Sequence, residues 1–125
     1  MRVLRTDRAP AAIGPYSQAV EAGGFLFSAG QIGLVPATAE FAGEDVETQA
    51  TQVLENLGAI LREADLSFSD VVKTTVYLAD MSEFALVNAI YASYFLPPFP
   101  ARSTVAVAGL PNGARVEIDV VARRP

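Results

Sequence analysis

The sequence predicts an α+β fold in which two helices pack on one face of a mixed β-sheet. Two observations carry this prediction: apolar residues recur at helical spacing in segments 45–64 and 82–94, and short β-branched or alternating segments surround them. The expected order is three short strands, a helix, a strand, a helix and two strands. With 125 residues and 51% hydrophobic content, residues 1–125 are expected to form one domain with a core that needs no disulfide.

The N-terminal part is expected to contain three short strands. Residues 1–5 form the first strand, and residues 6–18 follow as a loop rich in proline and glycine. Residues 20–34 are typical of a hairpin that turns at Gly23-Gly24. Gly30 interrupts the second strand of this hairpin, and a glycine inside a strand often marks a bulge or a close approach to the backbone.

Two segments show helical periodicity. In residues 45–64 the apolar positions fall on one helical face, and the charged side chains lie largely off that face. A second helix is expected over residues 82–94, with Asp80 or Ser82 as its cap and a following proline cluster as its end. Between them, residues 70–78 are rich in β-branched side chains and predict a strand.

The last two strands are expected over residues 101–108 and 115–122, joined as a hairpin at Pro111-Asn112-Gly113. In that hairpin Arg102 lies about 15–17 Å from Glu117 along the strands, at the usual rise per residue. The two side chains are therefore not expected to meet within one hairpin. They would meet only across an interface between subunits or in a different register.

The faces of these strands bear on assembly. The final strand alternates charged residues with Val and Ile, whereas the preceding strand carries Val on one face and Thr and Ala on the other. Neither Thr nor Ala requires contact with water, so another subunit can cover the second face of the sheet. We therefore expect an oligomer.

Composition excludes several classes of function. The chain has no cysteine and no histidine, which rules out disulfides, thiolate catalysis and the commonest zinc sites, and no Asp/Glu cluster has the spacing of a metal site. Its net charge of −5 and pI of about 4.6 are unfavourable for binding nucleic acid. No apolar segment resembles a signal peptide or reaches the length of a membrane span, so we expect a cytoplasmic protein without a membrane partner.

Arg102 is the one charged residue between Glu83 and Arg115. It stands between an apolar, proline-rich turn and an apolar strand. A guanidinium stays protonated and is rarely buried without an anionic partner. Either Arg102 forms part of a pocket that receives a carboxylate or phosphate from outside, or it pairs with an internal Glu or Asp.

Three parts of the chain together resemble one protein family, and the resemblance covers essentially the whole chain. They are the runs 9–19 and Gly30-Gln31-Ile32; the run 71–78 with Phe84, Val87, Asn88 and Tyr91; and the run 99–103 with Leu110-Pro111 and Val116-Glu117-Ile118. This joint pattern resembles the Rid superfamily of reactive intermediate deaminases (YjgF/RidA type), also called enamine/imine deaminases.

The resemblance implies a single Rid-type domain with a chorismate-mutase-like α+β fold, assembled as a homotrimer with three pockets between subunits. It implies hydrolysis of 2-aminoacrylate and related imines, released by pyridoxal-phosphate dehydratases, to 2-oxo acids and ammonia. The expected partner is therefore a small imino or oxo acid, and the protein would clear a reactive by-product. The family needs no cofactor and no metal, in agreement with the missing His and Cys.

The resemblance also implies roles for individual residues. Arg102 holds the substrate carboxylate through two parallel hydrogen bonds and is not a base, because it does not deprotonate. Glu117 or backbone groups near Gly30 position the attacking water, and Tyr16 donates a hydrogen bond to the water or to the substrate nitrogen.

The resemblance implies that four residues line the substrate pocket. For several of the named residues a purely structural role remains an alternative. The pocket residues are Gly30, Asn88, Phe84 and Thr104. Tyr16 could instead only pack, Glu117 could be a solvated strand charge, and Gly30 could serve backbone geometry. Asn88 could anchor a loop and Phe84 could belong to the core, while Lys73 is assigned no role.

Two positions depart from the family pattern. The well-known imine deaminases have Ser immediately before the Gly-Gln-Ile run, where this chain has Ala29. Ser28 is one position earlier and would point to the opposite face of a strand, so it does not substitute. Many members carry Cys two residues after the arginine, where this chain has Thr104, which cannot be oxidised or alkylated.

Four functions compete at this point. The first is deamination of 2-imino acids, and the second is binding of a stable carboxylate, such as a 2-oxo acid, without turnover. The third is the ribonuclease or translation-inhibitor activity attributed to some relatives, which the acidic charge and the missing histidine disfavour. The fourth is a pathway-specific paralogue that acts on a larger unsaturated amino acid, as aminomuconate deaminases do.

Overall fold

The computed structural model describes residues 1–125 and shows an α+β architecture, a six-stranded mixed sheet with two α-helices. Every predicted strand and both predicted helices are present. In chain order the elements are β1 (Arg2–Leu4), β2 (Ala19–Ala22), β3 (Phe25–Ser28), α1 (Val46–Glu63), β4 (Val71–Leu78), α2 (Phe84–Ala92), β5 (Ala101–Ala106) and β6 (Val116–Arg123). Short 3-10 turns lie at Phe68–Asp70, Met81–Glu83 and Pro111–Gly113.

The strand order across the sheet is β1-β2-β3-β6-β4-β5, and it corrects the prediction at the C-terminal end. β4 lies between β5 and β6, pairing in parallel with β5 and antiparallel with β6. The predicted hairpin at Pro111-Asn112-Gly113 is therefore wrong. These residues form a 3-10 turn in which Asn112 and Gly113 adopt φ angles of 57° and 72°, so the left-handed preference of Asn-Gly serves a longer connection.

That connection passes around the end of β4 and is fixed there by backbone hydrogen bonds. The N–H of Val107 donates to the carbonyl of Leu78 at 2.9 Å, and the N–H of Ala79 donates to the carbonyl of Arg115 at 3.0 Å. The cause of this strand order is the β4–α2–β5 segment. It is a strand–helix–strand unit whose helical crossover returns β5 parallel to β4. β5 thereby becomes an edge strand.

The first helix provides more of the core than any other single element, with 8 of its 24 buried residues. Its N-terminus is capped by Asp45, whose Oδ2 accepts hydrogen bonds from the Thr48 N–H at 2.9 Å and from the Thr48 hydroxyl at 2.7 Å. Its inner face is buried against the sheet through Val53, Leu54, Leu57, Ile60 and Leu61. This burial fixes one face of the sheet as the helix face.

The second helix is shorter than predicted. It begins at Phe84 and ends at Ala92, and a 3-10 turn precedes it. Asp80 does act as a cap, but its Oδ1 accepts from the Ser82 N–H at 2.9 Å and so caps the 3-10 turn rather than α2. No helix of the structure has both the length and the apolar character needed to cross a bilayer.

Both helices lie on the same face of the sheet, as predicted, and the other face is uncovered in the single chain. On this open face Val3, Phe25 and Phe27 are 56%, 37% and 44% exposed. Towards β4 and β6 the open face becomes polar, with Glu117 and Asp119 half-buried on alternate positions of β6. The sheet therefore separates two different environments for functional side chains.

Candidate active site

The Arg102 side chain lies at the sheet edge against α2. In the register of β4 and β5, Arg102 stands opposite Thr74. Its guanidinium carbon is 4.8 Å from the centre of the Tyr91 ring and 5.6 Å from the centre of the Phe84 ring. Its Nη1 donates a hydrogen bond of 2.7 Å to Oδ1 of Asn88. Two aromatic rings and one amide thus hold the cation.

No carboxylate accompanies this guanidinium. The ion pairs of the structure join Arg2 and Arg124 to Glu21, Arg5 to Asp7, and Arg115 to Glu83. The alternative of an internal Asp or Glu partner for Arg102 is therefore not realised within the chain. A guanidinium has five N–H donors, and Asn88 accepts from Nη1 alone, so donors remain available to an anion that arrives from outside.

One stripe of α2 supplies the surroundings of Arg102. Phe84, Asn88 and Tyr91 follow at i, i+4 and i+7, the spacing of one helical face. Thr104, on the same face of β5 as Arg102, lines the small cavity beside the guanidinium together with these three residues. Sequence reasoning gave Tyr91 no role, and the stripe that Phe84 and Asn88 define is the signal that would have identified it.

Tyr16, Gly30 and Glu117 come together elsewhere, in an open cleft of about 580 Å³ that also has Ala29 and Asn112 in its walls. A separate cleft of about 400 Å³ lies over Arg102. No residue lines both clefts. The predicted site residues therefore form two groups: the Arg102 half-site (Arg102, Asn88, Phe84, Thr104 and, in addition, Tyr91) and the Glu117 half-site (Glu117, Tyr16 and Gly30).

Gly30 lies directly beside the carboxylate of Glu117. A β-carbon at position 30 would lie 2.7 Å from Cδ of Glu117, well inside the contact distance of about 3.5–4.0 Å between carbon atoms. The backbone of Gly30 is not in the left-handed region. The absence of a β-carbon at Gly30 thus leaves space for the Glu117 carboxylate, and a larger residue would displace that side chain.

Tyr16 is carried by a loop that a buried glutamine fixes. The amide of Gln18 accepts from the Thr6 N–H at 2.8 Å and donates to the carbonyls of Thr6 and Pro10 at 3.0 and 2.8 Å. The Tyr16 side chain is 54% exposed. Its hydroxyl oxygen accepts from the Ile13 N–H at 3.4 Å, and its O–H remains available to donate into the cleft.

The surroundings of Glu117 on the open face raise the pKa of its carboxyl group. Burial raises the pKa of the Glu117 carboxyl, and the nearby charge of Asp119 raises that pKa further. Asp119 itself accepts a hydrogen bond of 3.1 Å from the Tyr77 hydroxyl. Lys73, which also faces Asp119, donates to the Ser103 hydroxyl at 2.9 Å. Ionised Glu117 is therefore a stronger base than an exposed glutamate.

The two positions before Gly30 face opposite ways. The Ser28 hydroxyl points into the fold and accepts a hydrogen bond of 2.9 Å from the Val120 N–H. Ala29 lines the cleft of the Glu117 half-site. Ser28 thus faces away from the cleft, as its position in the strand predicts, and the cleft wall at position 29 offers a methyl group.

The two half-sites do not meet within one chain. Arg102 stands opposite Thr74 and Glu117 opposite Tyr77, on the two flanks of β4, an offset of about 10 Å along the strand. The Arg102 side chain packs on the helix face, whereas Glu117 is on the open face. As expected, the two side chains do not meet within one chain, but the predicted offset of about 15–17 Å along a hairpin is wrong, because β4 lies between the two strands.

The α+β fold thus holds an unpaired guanidinium at one sheet edge and, on the opposite sheet face, a cleft lined by the Glu117 carboxylate. A family model described as Endoribonuclease L-PSP matches residues 6–124. The chain belongs to this family, the YjgF/Rid family, as the sequence motifs predicted.

Comparison with individual proteins gives close relatives. The chain is 52% identical over 120 residues to the chloroplastic Reactive Intermediate Deaminase A of Arabidopsis thaliana, covering 96% of this chain and 64% of that protein. It is 50% identical over 121 residues to the 2-iminobutanoate/2-iminopropanoate deaminase of Mus musculus, covering 97% and 90%. The crystal structure of E. coli TdcF with bound serine matches with a TM-score of 0.95 and 41% identity, covering 100% of both chains. The chain thus spans less than two thirds of the Arabidopsis protein but nearly the full length of the other two.

Proposed function

We propose that this protein hydrolyses 2-imino acids, and the enamines such as 2-aminoacrylate that tautomerise to them, to 2-oxo acids and ammonia. The observation that carries the proposal is the Arg102 guanidinium, which aromatic rings and an amide hold without an internal anion. A 2-imino acid offers the missing carboxylate next to an electrophilic carbon. The names of the mouse and Arabidopsis relatives and the serine bound to TdcF support a small amino-acid-like ligand.

Arg102 acts as the clamp. Its planar guanidinium gives the substrate carboxylate two parallel N–H···O bonds, which fix both the position and the plane of the substrate. The imine carbon is bonded to that carboxylate, so clamping one group also orients the other. Positioning of this kind lowers the barrier because the reacting atoms no longer have to be brought together from solution.

Water is the nucleophile, and Glu117 activates it. As the water oxygen bonds to the iminium carbon, Glu117 takes a proton from it and the C=N π electrons move to nitrogen, giving a carbinolamine. Glu117 returns the proton to nitrogen, the C–N bond breaks and the carbonyl forms as its hydroxyl proton leaves to the departing ammonia. The sum is iminium plus water to 2-oxo acid plus ammonium. Tyr16 donates a hydrogen bond to the water or to the nitrogen.

These roles require two copies of the chain, because the half-sites of one chain lie on opposite sheet faces. We propose a homotrimer with three pockets, each combining the Arg102 half-site of one subunit with the Glu117 half-site of the next. The exposed edge strand β5 and the uncovered apolar residues Phe25 and Phe27 support such contacts. Head-to-tail contacts of this type close into a three-membered ring when each subunit is rotated by about 120° from the last.

The test is to generate 2-iminopropanoate in situ with an amino-acid oxidase and to follow the loss of the imine with and without the protein. Acceleration that disappears in R102A is the expected result. No acceleration at stoichiometric protein would overturn the deaminase proposal in favour of a protein that only binds a carboxylate. Acceleration that survives in R102A would overturn the clamp mechanism.

A second candidate, a paralogue for larger unsaturated amino acids, is favoured by one observation. The cleft of the Glu117 half-site is wide and has Ile13, Ile32 and Leu34 in its wall, an apolar lining suited to a longer side chain. The same assay with oxidase-generated imines of alanine, leucine and phenylalanine separates the two. Highest kcat/KM with the alanine imine favours the general deaminase, and highest kcat/KM with the phenylalanine imine favours the paralogue.

The substitution D119N is expected to lower the pKa of Glu117. Removing the Asp119 charge makes the ionised form of Glu117 less unfavourable, so its pKa falls towards the ordinary range and the acid limb of the kcat/KM profile moves to lower pH. The amide oxygen introduced by D119N would still accept the Tyr77 hydrogen bond. Carboxyl 13C NMR titration of Glu117 measures the shift, with D65N as a control on the far side of the chain. An unchanged or raised pKa would contradict the assignment.

A further inference from the structure

We infer that Tyr91, held in place by Thr74, is a positioning residue for Arg102: it fixes the plane of the guanidinium without cancelling its charge. The inference rests on the proposed function only in taking a 2-imino acid as the natural anion. The evidence for it is that Tyr91 contacts both the Arg102 guanidinium and two residues of the core, Phe95 and Thr74.

Tyr91 is itself firmly fixed. The side chain is 6% exposed, and its ring stacks on the Phe95 ring at 4.3 Å between centres and 20° between planes. Its hydroxyl shares a buried hydrogen bond of 2.9 Å with the hydroxyl of Thr74. Burial raises the pKa of this phenol, so it stays protonated at physiological pH. A rotation of the ring would break the hydrogen bond and the stack together.

Thr74 connects this ring to the strand that carries the cation. It is fully buried and stands directly opposite Arg102 in the register of β4 and β5. A buried hydroxyl is costly unless it forms a hydrogen bond, and valine would fill the same space on this β-branched strand. The hydroxyl at position 74 therefore serves the bond to Tyr91, which ties the ring to the backbone position beside Arg102.

The choice of an aromatic partner matters for binding an anion. A carboxylate in contact with Arg102 would also fix the guanidinium, but it would occupy the donors and neutralise the charge that an external anion needs. Ring faces attract the cation electrostatically and leave its N–H edge available. Tyr91 and Phe84 thus hold the guanidinium plane, Asn88 holds Nη1, and the remaining donors stay unpaired. An arginine fixed in this way loses less conformational entropy when it binds a carboxylate.

The chain contains a matched control for Tyr91. Tyr94 lies three residues further on, just beyond the end of α2, its ring packs edge-on against Phe68, and its hydroxyl donates to Glu55 at 2.7 Å. It resembles Tyr91 in residue type, in aromatic packing and in having a bonded hydroxyl, but it makes no contact with Arg102. A comparison of Y91L with Y94L therefore separates positioning of the cation from general packing.

The experiment titrates the assembled protein with pyruvate, a stable carboxylate, and with pyruvamide, its uncharged amide, by NMR. We expect Y91L to bind pyruvate about tenfold more weakly, a loss between the values of an exposed and of a desolvated cation–π contact, to bind pyruvamide unchanged, and to show an averaged Arg102 Nε signal. In Y94L we expect pyruvate affinity within about twofold of wild type, since the Tyr94 ring does not contact Arg102 and reaches the Tyr91 ring only through the rings of Phe68 and Phe95. Wild-type pyruvate affinity in folded Y91L, or equal losses in both variants, would overturn the inference.

Two gentler variants keep the test decisive if Y91L does not fold. T74V and Y91F preserve the ring and its volume and remove one hydroxyl each, and we expect each to weaken pyruvate binding by about threefold, the value of one modest hydrogen bond. Unchanged affinity in both would overturn the role of the Thr74 bond. Because pyruvate binding needs no turnover, a protein that binds pyruvate through Tyr91 and Arg102 but deaminates nothing would refute the proposed function and leave this inference standing.

Discussion

Replacing Arg102 with lysine is expected to lower kcat/KM for 2-iminopropanoate by about 100-fold, and replacing it with alanine by about 1,000-fold, because two charge-assisted hydrogen bonds of roughly 1.5–3 kcal/mol each depend on the guanidinium. Lysine keeps the positive charge, but an ammonium does not form two parallel bonds to a carboxylate. It also lacks the planar group that lies over the rings of Tyr91 and Phe84. The positive charge of lysine alone is therefore not expected to maintain kcat/KM.

The measurement is kcat/KM with imine generated in situ, together with the melting temperature of each variant. R62K is the matched control, since Arg62 is exposed on α1 and belongs to neither half-site. We expect R62K to retain full activity and to melt like wild type. R102K and R102A should melt only slightly lower, because Arg102 forms no internal ion pair and gives up only its contacts with two rings and the hydrogen bond to Asn88. Activity in R102K within a few-fold of wild type would refute the clamp.

Replacing Gly30 with alanine is expected to lower kcat/KM about 100-fold, the typical contribution of a positioned general base. The added methyl group would lie where the Glu117 carboxylate now is, so Glu117 has to move away from the position in which the proposed mechanism has it activate water. Because the backbone of Gly30 is not in the left-handed region, the fold itself tolerates alanine. The loss should therefore appear in activity far more than in stability.

The control for this substitution is G109A, since a β-carbon at Gly109 would meet no atom within 4 Å. A double-mutant cycle supplies the second test. If Gly30 acts through Glu117, then G30A/E117Q is no less active than E117Q alone, since residues acting as one unit are not additive. A double variant whose loss of activity equals the product of the two single losses would contradict the account, and so would full activity in G30A.

The fold could be predicted from the sequence wherever the signals were local. The helical stripe of α1 and the Gly23-Gly24 turn identified their elements directly. The pairing of the last strands was wrong because Asn112-Gly113 has the same left-handed preference in a 3-10 turn as in a hairpin. Whether β4 lies between β5 and β6 is decided by the helical crossover before β5, which is a non-local property that no turn signal records.

The candidate site shows the same division. Arg102 stood out because no other charge lies near it in the sequence, and the family motifs pointed to Glu117 and Tyr16. The reason for Gly30 was not predictable, because the Glu117 side chain approaches it from a strand nearly ninety residues later. Tyr91 received no predicted role because a tyrosine on a helical apolar stripe usually belongs to the core. Its ring does pack in the core, where it stacks on Phe95, but it also contacts the Arg102 guanidinium.

The central claim is that each active site combines Arg102 of one subunit with Glu117 of the next, and complementation tests it most directly. R102A and E117Q, each nearly inactive alone, are co-expressed with different affinity tags, and mixed oligomers are isolated by two successive affinity steps. In a three-membered head-to-tail ring every mixed trimer contains one site with both residues intact, so we predict about one third of wild-type activity. Activity no higher than that of the separate variants would show that the two residues do not share a site between subunits.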